Sequence, residues 1–189
     1  MRHDLTLRRD EIRLEPLDLR HTDGLLALLE PQMWAGMTSP LPADAAEMSG
    51  YIAAAHADPT RQAFAVVDAA SGEVRGSTSY YEHVPSQERI EIGHTFYGRR
   101  FWGGRTNPLC KWLLLGHAFE QLRVHRVALR CDRRNERSQQ AIARLGAVRE
   151  GVLRQHRVAP DGSRQDTVYF SLLAPEWPAC REALDRRLG

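Results

Sequence analysis

The stretch that decides the fold is a strand, a turn rich in glycine and arginine, and a helix, followed by a second strand and a second helix. The first strand and the turn read Arg89-Ile90-Glu91-Ile92-Gly93-His94-Thr95-Phe96-Tyr97 and Gly98-Arg99-Arg100-Phe101-Trp102-Gly103-Gly104-Arg105-Thr106-Asn107. An apolar-periodic run to Leu122 predicts the first helix. Residues 124–131 predict the second strand, and residues 135–145 predict a short helix that ends at Gly146. This alternation indicates a fold of the α/β class.

The turn has the composition of an anion-binding loop. Three arginines lie within seven residues beside two adjacent glycines: Arg99, Arg100, Arg105, Gly103 and Gly104. Backbone N–H groups at a helix N-terminus and guanidinium groups both bind phosphate. The alternative is a tight loop before a capped helix, since Thr106 and Asn107 are good capping residues. A cap needs neither the arginines nor the paired glycines, so we favour a turn that binds the phosphates of a cofactor.

The elements outside this unit complete one domain. Strands are predicted at 11–14, 63–68 and 74–81 before it, and at 148–158 and 164–173 after it. Helices are predicted at about 22–31, 43–57 and 175–187, with a loop at 32–42 that holds Met33, Trp34 and Met37. A mixed sheet with helices on both faces accommodates this order as a single α/β (α+β) domain over 1–189, with its core at about 12–173.

Composition excludes several classes of protein. The chain is 42% apolar and 26% charged, as expected for a globular domain, and its net charge is only +2. A domain-wide excess of basic residues is missing, so we expect no nucleic-acid partner. No apolar stretch approaches the ~20 residues of a membrane helix, and residues 1–4 do not resemble a signal peptide. We therefore expect a soluble cytoplasmic protein without a membrane partner.

Cysteine and histidine spacing predicts neither a disulfide framework nor a metal site. Cys110, Cys131 and Cys180 are odd in number and widely spaced, without a CxxC pair, which fits a reducing compartment. His94 has no ligand-like spacing to His117 or to the other histidines. We expect no metal.

Two kinds of polar residue are candidates for a site, and each has a structural alternative. Asn135 and Ser138 open the second helix, where they could cap it or face a ligand at the end of a strand. Glu91 and Asp166 lie inside predicted strands, which disfavour carboxylates unless these are solvated or paired. The residues alone leave both alternatives open.

From about Ile12 to Pro178 the chain resembles the GNAT superfamily of acetyl-CoA-dependent N-acetyltransferases, closest to the branch of the ribosomal-protein N-terminal (alanine and serine) acetyltransferases. The resemblance rests on consecutive matches in the right order. They are Glu91-Ile92-Gly93, 107–111 with 117–120, Arg126-Val127, Asn135-Glu136-Arg137-Ser138, Ala141-Ile142, 145–147, 150–154, Asp161-Gly162, 166–169 and Glu176-Trp177-Pro178.

The resemblance implies a mostly antiparallel sheet in which the strands at 91–97 and 126–131 splay into a V that holds coenzyme A. In such proteins the first arm pairs with pantetheine, the turn at 101–107 wraps the pyrophosphate, and the hydroxyl matching Ser138 is a candidate proton donor to the thiolate. The implied cofactor-binding residues are His94, Thr95, Phe96, Phe101, Trp102, Gly103, Gly104, Arg105, Thr106, Asn107, Asn135 and Ser138.

Two residues depart from the family pattern. Arg105 occupies the last position of the turn, where a small residue is usual, so either the backbone turns differently or the arginine itself donates to a phosphate. Arg157 stands where the relatives that acetylate ribosomal proteins carry a glutamate proposed as base. The identity of a ribosomal substrate therefore does not transfer to this chain.

The resemblance thus implies direct acetyl transfer from acetyl-CoA to a primary amine, either a protein N-terminus or a small molecule. Deprotonation of the amine needs a base or a held water, for which we select Glu91, with Asp166 and His156 behind it. Backbone N–H groups from 93–95 would stabilise the oxyanion. The alternatives are a CoA-binding sensor or assembly module without catalysis, and an RNA-associated protein. A homodimer is also predicted.

Overall fold

A computed structural model describes residues 3–34 and 36–189, and in these the chain forms eight strands and six α-helices. The strands are β1 Leu7–Arg9, β2 Ile12–Pro16, β3 Gln62–Asp68, β4 Val74–Val84, β5 Arg89–Tyr97, β6 Arg126–Asp132, β7 Val148–Val158 and β8 Arg164–Leu173. The helices are α1 Thr22–Leu26, α2 Pro31–Trp34, α3 Ala45–Ala57, α4 Thr106–Gly116, α5 Glu136–Ala143 and α6 Trp177–Leu188.

The strands form one sheet in the order β1-β2-β3-β4-β5-β6-β8-β7. Every neighbouring pair is antiparallel except β5 and β6, which are parallel. A parallel pair needs a long crossover, and α4 supplies it between these two strands. The mixed, mostly antiparallel sheet expected from the sequence is confirmed.

Helices cover both faces of the sheet because the buried strands are apolar on both sides. In β3, Phe64 and Val66 pack into one core with α4 and α6, while Ala63, Ala65 and Val67 pack into a second core with α1 and α3. Successive side chains of a strand point to opposite faces, so this alternation assigns the two cores to the two sides. Helix α3 begins at a cap, since the Asp44 side chain accepts a hydrogen bond from the Glu47 N–H.

The structure corrects three predicted elements. The strand predicted at 11–14 is β2, and it forms a hairpin with an additional strand, β1 (Leu7↔Leu14). The sequence of β1, Leu-Arg-Arg, is too short and polar to show period-two alternation. The helix predicted over 22–31 ends at Leu26, after which Leu28 and Leu29 form tight turns onto the carbonyls of Leu25 and Leu26. The predicted loop at 32–42 overlaps the helical turn α2, where Trp34 is buried.

Candidate functional site

The central parallel pair opens into a V. Pairing between β5 and β6 runs from Arg89↔Arg126 to Ile92↔Leu129, and both strands continue beyond it. The free arm of β5 stays paired with β4, and the free arm of β6 stays paired with β8 as far as Asp132↔Thr167. The two arms therefore diverge while each is held by its outer neighbour, which confirms the expected splay.

A bulge in β5 lies at the apex of the V. Ser77 pairs with Phe96 but Ser79 pairs with Gly93, so Thr78 faces both His94 and Thr95. His94 takes the left-handed conformation (φ 47°), and the hydroxyls of Thr78 and Thr95 are hydrogen-bonded at 2.8 Å. A side chain at position 93 would meet the Tyr81 ring at 2.7 Å, so this position requires glycine.

A cavity of about 480 Å³ fills the space between the two arms. Its walls are β5 from Ile92 to Tyr97, β6 from Leu129 to Asp132, the turn at 101–104, one face of α4, and α5 with the residues on either side of it. Met33 and residues 36–38 lie on the same cavity. Trp34, by contrast, packs in the core against Tyr51 and Phe96. Thus Met33 and Met37 line the cavity, while Trp34 belongs to the core.

The first turn of α4 meets this cavity at Asn107 and Pro108 and holds backbone donors. Helix α4 begins at Thr106, and no side chain caps its first N–H groups among the residues described. Its third residue is Pro108, which has no N–H, so the donors left are those of Arg105, Thr106 and Asn107. Gly103 takes a left-handed conformation (φ 75°) that brings the preceding turn to this helix end. Uncapped donors at the positive end of a helix dipole suit an anion.

The arginine side chains of the turn point away from the cavity. Arg105 donates to the Asp10 carboxylate at 2.8 Å and to the Leu188 carbonyl at 2.6 Å, and it lies 3.2 Å from Glu11. Arg99 and Arg100 pair with Glu30 and Glu73. Since its donors are taken, Arg105 can offer an anion only its backbone N–H, and the expectation of phosphate contact through its side chain has no support in the geometry.

Most of the predicted cofactor-binding residues line the cavity. These are His94, Thr95, Phe96, Phe101, Trp102, Gly103, Gly104, Asn107, Asn135 and Ser138. The side chains of Arg105 and Thr106 do not line it, and the Thr106 hydroxyl is buried, 3.4 Å from Arg75 Nη1. The charged cavity residues that sequence reasoning did not assign are Lys111, Arg130, Asp132, Arg137, Arg144, Arg157 and Arg187. A signal existed for Lys111, which follows Asn107 by four residues and so shares its helix face.

Asn135 and Ser138 form the N-terminal cap of α5. The Asn135 Oδ1 accepts a hydrogen bond from the Ser138 backbone N–H at 3.0 Å. The Ser138 side chain interacts with the Cys131 thiol: burial raises the pKa of that thiol, and the interaction with Ser138 acts in the opposite direction. Both residues also line the cavity, and the cap uses only the Ser138 backbone N–H, so capping and a site role for the hydroxyl are compatible.

Glu91 lies beside the cavity wall and does not line it. Its side chain is buried, and its Oε2 lies 3.3 Å from Arg130 Nε. Arg130 also donates to the hydroxyls of Tyr81 at 3.0 Å and Tyr169 at 2.6 Å. Burial raises the pKa of the Tyr81 hydroxyl, with a further contribution from Glu91. Because Arg130 does line the cavity, Glu91 can act on a bound molecule through Arg130 or through water.

Asp166 and His156, the other two candidates for the base, do not line the cavity. Asp166 pairs with Arg133 at 3.1 Å and accepts the Gln155 N–H at 2.9 Å, and the hydrogen bond from that N–H is the main cause of its lowered pKa. The His156 ring nitrogen lies 3.2 Å from the Thr167 hydroxyl. His94 is the imidazole that faces the cavity, and burial together with Arg61, Arg130 and Arg157 lowers its pKa to about 3. His94 is therefore neutral at ordinary pH.

Within residues 3–34 and 36–189, no three His, Cys, Asp or Glu side chains are grouped so that they could hold a metal ion. No helix in this part of the chain has the length and apolar character to cross a membrane.

The chain matches one family model and one curated relative. The family model is described as an acetyltransferase (GNAT) domain and matches residues 11–148. The curated relative is the Bacillus subtilis (strain 168) protein named "Putative ribosomal N-acetyltransferase YdaF", which is 33% identical over 107 residues. That match covers 56% of this chain and only 57% of the length of the relative.

Solved structures resemble the chain over almost its whole length. A "putative acetyltransferase" from T. thermophilus is 37% identical, with a TM-score of 0.93, over 99% of this chain and 98% of its own. A GCN5-related N-acetyltransferase from Brucella melitensis is 31% identical, with a TM-score of 0.92, over 99% of this chain and 86% of its own.

Proposed function

The chain belongs to the GNAT acetyltransferase family, and we propose that it transfers an acetyl group from acetyl-CoA directly to a primary amine. The observation that carries this proposal is the cavity between the diverging arms of β5 and β6, which is closed at one end by an uncapped helix N-terminus. Acetyl-CoA is a long molecule with an anionic end and a neutral thioester arm. The cavity offers an anion-binding helix end and, between the arms, apolar side chains such as Ile92, Phe96 and Leu129.

The chain's own residues fit coenzyme A at both ends. Backbone N–H groups at 105–107 would hold the pyrophosphate, since no side chain among the described residues caps them. The arm of β5 beyond Ile92, which is no longer paired with β6, would bind the pantetheine as a neighbouring strand does. When bound, acetyl-CoA supplies the activated acetyl thioester.

Three groups would carry the proton and charge movements. The Ser138 hydroxyl, which lines the cavity beside Cys131, would donate a proton to the departing thiolate. Backbone N–H groups of the bulge at 93–95 would stabilise the oxyanion. Glu91, acting through a water beside Arg130, would accept the proton of the amine. We do not assign this role to His94, because its lowered pKa makes it a weak base.

The acceptor is proposed to be a primary amine of a protein N-terminus or of a small molecule. Arg157 and Arg130 both face the cavity. The Arg157 guanidinium pairs with Asp132 at 3.3 Å, yet its Nε has no hydrogen-bond partner among the described residues. We therefore expect acceptors that carry a carboxylate near the amine to react faster than polyamines. A cytoplasmic location and a homodimer, both expected from the sequence, belong to the same proposal.

The experiment is an acetyl-CoA consumption screen across peptide N-termini, amino acids, polyamines and amine drugs, with mass spectrometry of each product. The proposal predicts an N-acetylated product from at least one class and loss of turnover in Ser138→Ala. CoA binding without any acetylated product would indicate a non-catalytic CoA-binding module. Absence of CoA binding would contradict the proposal as a whole.

A further inference from the structure

Lys111 is a buried cation to which the proposed mechanism gives no task. It is the sole lysine of the chain, lies on α4 and is only 6% exposed, yet its side chain lines the cavity. No hydrogen bond or ion pair joins its ammonium group to another residue within 3–34 and 36–189. A buried charge without a partner is costly, so an unpaired ammonium in a binding cavity points to an anionic ligand.

The other charged groups of the cavity wall supply no counterion. Asp132 is the one carboxylate among the described lining residues, and it already pairs with Arg134 and Arg157. The remaining charged residues of the wall are all cations: Arg130 on β6, Arg137 on α5, Arg144 at its end, Arg157 on β7 and Arg187 on α6. The titratable neutral groups there are Tyr81, His94, Tyr97 and Cys131, with Cys110 next to Lys111 on α4.

The helix geometry sets the direction of the Lys111 side chain. Asn107 and Lys111 are four residues apart, so they lie one above the other on one face of α4, and both line the cavity. In an α-helix the Cα–Cβ bond tilts toward the N-terminus, so a long side chain covers the turn before its own position. This tilt favours an ammonium that lies toward the uncapped N–H groups at 105–107.

We propose that the Lys111 ammonium is the charged partner of the coenzyme A pyrophosphate, in place of the three arginines of the turn. Arg99, Arg100 and Arg105 already pair with acidic side chains. The positive charge beside the N–H groups at 105–107 therefore comes from Lys111, one helical turn further along α4. The inference rests on the proposed function, because it takes coenzyme A as the ligand of the cavity.

Proton linkage follows from this arrangement. Burial lowers the pKa of Lys111 to about 8. A bound pyrophosphate favours the charged ammonium and raises that pKa again. At a pH just above the pKa that Lys111 has without ligand, binding of coenzyme A should therefore take up a proton. The affinity for coenzyme A should fall as the pH rises through about 8.

The experiment is calorimetry of CoA binding to wild type, Lys111→Met and Arg99→Met. Loss of a charge-assisted bond predicts about 10- to 100-fold weaker CoA binding in Lys111→Met. Arg99→Met, which removes one exposed positive charge from the same turn, should bind like wild type. Only wild type and Arg99→Met should show proton uptake, measured near pH 8 in buffers of different ionisation enthalpy.

Thermal unfolding and a truncated ligand separate this role from a structural one. Lys111→Met removes an unpaired buried charge, so its melting temperature without ligand should rise while its CoA affinity falls; a structural lysine would give a lower melting temperature. Dephospho-CoA lacks the 3′-phosphate but keeps the pyrophosphate. Lys111→Met should therefore weaken the binding of dephospho-CoA, relative to wild type, by the same factor as the binding of CoA.

Two results would overturn the inference and leave the proposed function intact. One is equal CoA affinity of wild type and Lys111→Met; the other is a loss that disappears with dephospho-CoA, which would assign the contact to the 3′-phosphate. Failure of wild type to bind CoA would instead contradict the proposed function.

Discussion

The guanidinium of Arg137 lies over the indole of Trp102, 3.3 Å from the ring centroid, and joins the turn after β5 to the first turn of α5. Trp102 is fixed in turn, since its Nε1–H donates to the Tyr97 carbonyl at 2.8 Å. Both residues line the cavity, so the pair connects its two walls beyond the open end of the V.

Trp102→Ala should weaken CoA binding, because it removes a wall of the cavity and releases the end of β5. A cation–π contact contributes about 0.5–2 kcal/mol, so Arg137→Ala should have the smaller effect, about 2- to 30-fold in Kd. Titration calorimetry of both variants measures this order. Unchanged affinity in Trp102→Ala would show that the pair is not part of the cofactor site.

Ser138→Ala should lower turnover by about 10²-fold with little change in stability or CoA affinity. The structure sharpens this expectation, because the α5 cap uses the Ser138 backbone N–H, which alanine retains. Asn135→Ala is the matched control. It removes the cap acceptor and should lower the free energy of unfolding by about 1 kcal/mol. Full turnover in Ser138→Ala on a verified acceptor would mean that solvent protonates the thiolate.

Glu91→Gln should reduce both turnover and stability. The carboxylate is buried beside Arg130, so its neutralisation weakens a charge-assisted contact of about 1–3 kcal/mol. Turnover measured well below the melting temperature separates the two effects. If folded Glu91→Gln turns over like wild type, Glu91 only positions Arg130 and the proton acceptor must be sought elsewhere.

His94 should make the protein less stable in acid. Its pKa is about 3 in the folded chain against an ordinary 6.5, so between these values the unfolded chain binds a proton that the folded chain does not. The free energy of unfolding should fall as the pH drops below 6.5, by up to about 2 kcal/mol near pH 5. His94→Asn tolerates the left-handed backbone and should lose this part of the pH dependence. Denaturant unfolding of both proteins at pH 6.5 and pH 5 tests this prediction. An equal loss of unfolding free energy between these pH values in wild type and His94→Asn would contradict it.

Long, strongly patterned elements could be predicted from the sequence. The strands at 89–97, 148–158 and 164–173 have the predicted bounds, since each has strand-like composition and lies next to clear turn residues. The hairpin partner β1 was missed because a three-residue edge strand has no period to detect. The end of α1 at Leu26 was not predicted, because Leu28 and Leu29 continue the apolar pattern of a helix although the backbone there is no longer α-helical.

Local composition indicated the region of the candidate site but not the contacts of some of its side chains. Glycines and a helix start predicted anion binding at 103–107, and Gly103, Gly104 and Asn107 line the cavity. The role of Arg105 could not be predicted, because Asp10, Glu11 and Leu188 are distant in sequence and meet it only through the fold. Lys111 was passed over for the same reason, since the absence of a counterion is visible only when all walls of the cavity are in place.

A crystal structure of the protein with coenzyme A would show where the cofactor binds. We expect the pyrophosphate against the backbone N–H groups of 105–107, with the Lys111 ammonium in contact with it. The pantetheine should lie along β5, and the sulfur should lie between the arms near Ser138. Coenzyme A bound outside the V, or a cavity that stays free of it at saturating concentration, would contradict the account.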